Sequence, residues 1–205
     1  MLKKIIIKLK KKIIWRVKSI YHLWYIYYLF SIIEKEMYVL VKSDPKFPFV
    51  KFGSDFDIFT IKRDNLVKLI VNFYSKKLKY KLTVNNKKSG NVQLDLFYKG
   101  IFIYKFDIYN FNYNSGVFNK ALIPDVIKSS ITKNFFFLSR FHIQVPNITM
   151  DSIIRIFELH SFPNKQHHRE ILKRRSKKII KKASDEIPKY SILSFKEIIE
   201  QLNSG

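Results

Sequence analysis

The sequence predicts an α+β protein, a small mixed β-sheet with a flanking N-terminal helix and a C-terminal helical region. Three observations predict it. Met1 to Met37 contains neither Gly nor Pro, which suits a helix. From Tyr38 to Tyr109 the apolar residues recur at the spacing of strands, interrupted by one helical stretch. Beyond Asn110 helical spacing returns. The chain has 205 residues, enough for one domain with helical appendages, and these changes of period divide it into 1–36, a core over 37–120, and 121–205.

The N-terminal segment starts with Lys-rich turns and continues into an aromatic run over residues 20–33. Fourteen residues do not span a bilayer. Ile5, Ile6 and Ile7 are followed at once by Lys8, with no small-residue cleavage site after them, so the segment is not expected to act as a secretory signal. We expect a cytoplasmic protein whose helix packs an aromatic face on the domain. Peripheral membrane contact through residues 1–33, as a basic amphipathic helix, is the alternative.

Tyr38 to Val41 reads as a strand that ends before Pro45. Residues from Asp55 to Ile61 alternate polar and apolar, which predicts a strand with one buried face. Asp64 or its neighbour is expected to cap a helix running to about Lys77, with Leu66, Leu69, Ile70 and Phe73 at helical spacing. Three strands follow, Tyr80 to Val84, Val92 to Tyr98 and Ile101 to Tyr109, separated by turns at Asn85-Asn86 with Ser89-Gly90 and at Lys99-Gly100. The remainder predicts a helix near Pro124 to Ile131, a strand near Phe141 to Val145, and helices over about 150–160, 165–183 and 194–202.

Charge and cysteine narrow the function. Lys and Arg number 39 against 16 Asp and Glu, for a formal charge of +23. Residues 1–20 and 165–182 together hold +16 of it, leaving a nearly balanced β-rich centre. Such a field favours polyanions, whether nucleotides, nucleic acid or acidic lipid. Part of the Lys excess accompanies abundant Ile, Phe, Tyr and Asn, as A/T-rich codons would give. The absence of Cys excludes disulfides, thiolate zinc sites and cysteine nucleophiles. No Ser/His/Asp arrangement, Gly-x-x-x-x-Gly-Lys loop or Gly-x-Gly-x-x-Gly fingerprint is present.

The distinctive charges of the centre are negative. Asp55 and Asp57, two apart on one strand, share a face and repel unless a positive group stands between them. A hard divalent cation is one such group. Gly53 and Ser54 precede them, and a glycine lets backbone approach a ligand closely. Asp95, inside the apolar strand Val92 to Tyr98, is costly unless it pairs or coordinates. Three carboxylates converge if the strands of Asp57 and Asp95 are neighbours. Asp107 is the rival third acid, with a surface pairing to Lys105 as its plainer reading. His167 and His168, adjacent on a helix, point about 100° apart and do not share a metal.

In order, Tyr38-Val-Leu-Val41, Gly53-Ser54-Asp55-Phe-Asp57, Val92-Gln-Leu-Asp-Leu96, Val145-Pro146 and Pro163-Asn-Lys-Gln-His-His-Arg169 resemble the nucleotidyltransferase superfamily with the polymerase-beta-like fold. They look most like the nucleotidyltransferase-like proteins of bacterial surface-polysaccharide gene clusters. The resemblance covers about residues 37–172. It implies a nucleotidyltransferase-like core and transfer of a nucleotidyl group from an NTP to a hydroxyl or phosphate of a small-molecule or glycan acceptor. It also implies two Mg²⁺ ions held by Asp55, Asp57 and Asp95, with Lys165 and His168 reaching the nucleotide. In active members a Gly-Ser pair opens a helix well before the Asp-x-Asp. Here that position reads Lys42-Ser43-Asp44-Pro45, and Gly53-Ser54 lie against the acids instead. The phosphate grip then falls to Lys42, Ser43 and Lys51 beside Gly53 and Ser54. The alternative is a catalytically degenerate copy whose basic helices bind nucleic acid.

Overall fold

The computed structural model describes residues 24–42, 50, 52–78, 80–113, 116–134 and 142–192. Ser43, Lys51, the first 23 residues and the expected helix over 194–202 lie outside them.

A helix over residues 24–33, α1, leads through a 3₁₀ turn at Glu34–Glu36 into β1 (Tyr38–Val41). Then come β2 (Ser54–Thr60), α2 (Arg63–Val71, continued as π-helix over Asn72–Lys77), β3 (Lys81–Asn86), β4 (Val92–Tyr98) and β5 (Ile101–Tyr109). The C-terminal part holds α3 (Leu122–Lys128), the hairpin of β6 (Ile131–Asn134) and β7 (His142–Val145), and α4 (Ile148–Ser161), α5 (Gln166–Lys173) and α6 (Lys177–Tyr190). The class is α+β, as expected. No described helix is long and apolar enough to cross a membrane.

The five-stranded sheet runs β1-β2-β5-β4-β3. β3, β4 and β5 form an antiparallel meander, and β2 joins it parallel to β5. Parallel neighbours need a long crossover, which α2 and the meander supply. Gly53, at φ +84°, makes the turn into β2, and its N–H donates to the Ile103 carbonyl at 2.7 Å. Only a residue without Cβ takes that conformation cheaply.

Alternation along the strands sorts the side chains onto two faces. Tyr38, Leu40, Phe56, Ile58, Leu94, Leu96, Tyr104, Phe106 and Ile108 face α1 and α2, joining Leu29, Phe30, Leu66 and Ile70 in one buried cluster. Phe56 stacks on Phe106 with ring centroids 5.2 Å apart. On the other face Val39, Val41 and Phe59 pack beneath α3, α4 and α6 through Leu122, Val126, Ile153, Phe157, Ala183 and Ile187. This second cluster covers only the β1–β2 end of its face.

The structure corrects several boundaries. The position before α2 is Lys62, with no side-chain cap, so Asp64 lies inside the helix. The helix expected to reach Ile131 ends at Lys128, and Ile131 opens β6 instead. The single basic helix expected over 165–183 is two helices. Ser176 accepts from the Ile179 N–H at 3.4 Å and caps α6, a role that serines favour over helix interiors.

Candidate functional site

Beyond the edge of the second cluster, the face opposite α1 and α2 carries charge. Because β2 and β5 are parallel and in register, Asp55 stands beside Lys105 and Asp57 beside Asp107. Lys105 Nζ lies 3.0 Å from Asp55 Oδ2 and 3.2 Å from Asp107 Oδ2. Lys42, at the end of β1, sends Nζ to 2.9 Å from both Asp57 Oδ2 and Glu158 Oε1 of α4. Its backbone is left-handed, at φ 53°. That is uncommon for a residue with a Cβ, and it turns the chain out of the sheet here. Tyr109 donates its hydroxyl to Asp57 Oδ1 at 3.0 Å, and Lys165 donates to Glu158 Oε2 at 2.7 Å. Four carboxylates thus face three ammonium groups in two adjacent ion-pair sets, Lys105 with Asp55 and Asp107, and Lys42 and Lys165 with Asp57 and Glu158.

The surroundings tune these groups. Burial pushes Asp107 upward, and although Lys105 opposes this, the neighbouring charges of Asp57 and Asp55 help leave its pKa above the ordinary carboxylate value. Burial would also raise Glu158, but Lys42 and Lys165 outweigh it and bring its pKa down to about 2. For Lys42 and Lys105 burial favours the neutral amine, yet the adjoining carboxylates prevail and raise both.

The other expected site residues are distributed unevenly. Asp95 is on the same face, but β5 separates β4 from β2, so its strand is not the neighbour of the Asp57 strand. Two strand spacings put the backbones roughly 9.5 Å apart. The Asp95 carboxylate is engaged instead by Gln93 Nε2, at 2.8 and 3.0 Å, and by Asn85 Nδ2 at 3.3 Å. Ser54 pairs in register with Tyr104, so its side chain is assigned by alternation to the helix-covered face, away from Asp55 and Asp57. His168 is only 2% exposed. Arg155 can only donate, so the His168 Nδ1 that meets Arg155 Nη1 at 3.0 Å is the acceptor, and the proton sits on Nε2. Burial, His167 and Arg155 hold its pKa down at about 3. His168 is therefore a neutral strut, enclosed rather than open to a ligand.

Asp107, the rival third acid of the sequence, pairs with Lys105 as its plainer reading expected and also stands beside Asp57. Glu158 alone was missed in the sequence, and its signal was faint: Asp151, Arg155 and Glu158 recur at helical spacing along an otherwise apolar α4.

Beside the acids, Lys42, Phe59, Tyr109, Tyr113, Phe157 and Glu158 help line a pocket of ≈ 110 Å³ between the sheet and α4. Its walls are mainly aromatic, with charge at one end. The donor chemistry of the neighbouring acids, all carboxylate oxygen, suits a hard cation. Among the described residues, however, no three His, Asp or Glu side chains stand ready as a metal cluster. Ammonium groups hold the spaces between the acids, and an ion would take the place of Lys105 Nζ.

Comparison of the sequence with protein-family profiles and with curated proteins finds no match. Among solved structures the chain is similar to the crystal structure of the Megavirus polyadenylate synthase. The identity is 13% and the TM-score 0.33, over 86% of this chain and 33% of that one. This chain thus spans about a third of that protein's length, and the likeness is too distant to assign an activity.

Proposed function

We propose that the protein transfers a nucleotidyl group from an NTP to a hydroxyl or phosphate acceptor. The observation that carries this reading is the in-register pairing of Asp57 with Asp107, with Asp55 two residues earlier on the same face. Three hard-oxygen ligands with lysine counter-ions beside an aromatic pocket suit a nucleotide, whose base stacks on rings and whose phosphates need cations.

In this reading Asp55, Asp57 and Asp107 hold Mg²⁺, with Asp107 taking the third place that the resemblance gave to Asp95. The metal, when bound, compensates the charge of the triphosphate. Lys42, Lys105 and Lys165 exchange carboxylate partners for phosphate oxygens. The acceptor oxygen bonds to the α-phosphorus, the bond from that phosphorus to the bridging oxygen breaks, and pyrophosphate leaves. For a hydroxyl acceptor, the proton would pass to the Asp107 carboxylate as the new bond forms. A glycan or other surface-polysaccharide precursor as acceptor, and a cytoplasmic setting, rest on the resemblance and the sequence alone.

The test is thermal unfolding with Mg²⁺ and each NTP in turn. A rise in Tm with at least one NTP is expected, and Asp57→Asn should abolish it. The absence of a shift with any NTP would sink the proposal. Lys173, Arg174, Lys177, Lys178, Lys181 and Lys182 are exposed along α5 and α6 and favour a second reading, a nucleic-acid-binding module. Salt-sensitive RNA or DNA binding that survives Asp57→Asn, without any NTP effect, would select that reading.

A further inference from the structure

A second cavity, of ≈ 480 Å³, lies between the β6–β7 hairpin, the first turns of α4 and the α5–α6 junction. It shares no lining residue with the aromatic pocket. Its inner wall is charged in an unbalanced way. Asp151 Oδ2 accepts from both Arg155 Nε and Arg175 Nη2, each at 2.8 Å. Arg155 is only 3% exposed and Asp151 8%. The nearest other carboxylate on α4, Glu158, is already engaged by Lys42 and Lys165, and His168 is neutral beside Arg155. Two guanidinium groups therefore share one carboxylate, Arg155 buried and Arg175 25% exposed at the cavity, so positive charge exceeds negative along this wall. Arg175 Nε is buried and has no hydrogen-bond partner among the described residues. Arg174 adds a third guanidinium to the lining.

Unpaired buried donors and uncompensated charge are expensive unless a ligand satisfies them. Guanidinium groups match planar and tetrahedral oxyanions with paired hydrogen bonds. The rest of the lining is mainly apolar, through Val145, Pro146 and Ile171 with Ile131 and Ile148, exposed at 52% and 42%, and it includes the Lys133 ammonium. A bare inorganic ion would leave that apolar wall wet. We propose that this cavity is a binding site for an organic oxyanion, a phosphate ester or carboxylate joined to an apolar group, held by Arg174 and Arg175 with Arg155 behind them. This proposal stands independently of the nucleotidyl-transfer reading.

The test is an equilibrium titration of the full chain with phenyl phosphate, benzoate and inorganic phosphate. Saturable binding of phenyl phosphate or benzoate is expected, at least tenfold tighter than inorganic phosphate because the ring covers the apolar wall. The tighter of the two organic probes identifies which oxyanion the site prefers. Arg174→Ala and Arg175→Met should each weaken binding about tenfold, while Asp57→Asn should leave it unchanged. The Arg174 side chain makes no hydrogen bond or ion pair with the described residues, and its backbone N–H, which donates to the Ile171 carbonyl, is kept in Arg174→Ala, so the substitution separates loss of the site from loss of the fold. Failure of both organic probes to saturate would overturn the proposal. So would binding indifferent to both arginine substitutions, or binding lost in Asp57→Asn, which would assign the ligand to the carboxylate cluster.

Discussion

The two faces of β2 and β5 are made by the same strands under opposite rules. On one, Phe56 and Ile58 meet Phe106 and Ile108 beneath α1 and α2, with every one of these side chains at most 2% exposed. On the other, one residue out of phase, Asp55 and Asp57 meet Lys105 and Asp107. The apolar face is held by area removed from water, which is indifferent to exact pairing. The charged face is held by specific partners, and each ion there persists only while its counter-ion does. Stability and chemistry are thereby assigned to alternate residues of one strand.

Three substitutions or conditions probe that division, beginning with the largest effect. Phe106→Ala, on the apolar face, should lower unfolding free energy by about 4 kcal/mol in chemical denaturation while leaving the charged residues in place. A loss below about 1 kcal/mol would show that this face does not carry the fold. Lys42→Met, on the charged face, leaves Asp57 and Glu158 without their shared cation and should cost about 3 kcal/mol. Because those carboxylates would then resist ionisation, the loss should shrink as pH falls below about 5. A pH-independent loss would mean that the lysine contributes packing rather than charge.

The third is pH itself. Glu158 and His168 both have lowered pKa values, at about 2 and about 3, so the unfolded chain binds protons at both before the folded chain does. Stability from His168 is complete above its unfolded value near 6.5 and is lost as pH falls toward about 3. That from Glu158 is lost from about 4.5 toward about 2. Melting temperature should therefore decline from pH 6.5 downward, and His168→Gln should flatten the upper part of that decline. An unchanged slope would contradict a neutral, buried His168.

The strands and the sorting of their faces were legible because a period of two is local information. Asp55, Phe56, Asp57 and Ile58 announce both faces by themselves. What joins Asp57 to Asp107 is not local. Strand order skips two strands between β2 and β5, and no single segment encodes that skip, so Asp95 was preferred and Asp107 stood only as its rival. The α5–α6 break was obscured by composition, since a run of Lys and Arg continues across it and only Ser176 marks the cap. Glu158 was hidden by helical burial: it reads as one acid in an apolar helix until Lys42 is seen to arrive from β1.

The parallel pairing of β2 with β5 also sets an order of events. β4 and β5 meet across the tight Lys99-Gly100 turn, and β3 pairs with β4 across another short connection, so the meander closes cheaply. Bringing Asp57 to Asp107 closes a loop of about fifty residues, and bringing Lys42 to Glu158 spans 116 positions, both slower closures than a hairpin. During synthesis the apolar meander can therefore collapse, with Lys105 already beside Asp107 on β5, before Lys42 meets Glu158. The acidic face is finished only after α4 has left the ribosome, making its chemistry a property of the whole chain and of no earlier fragment.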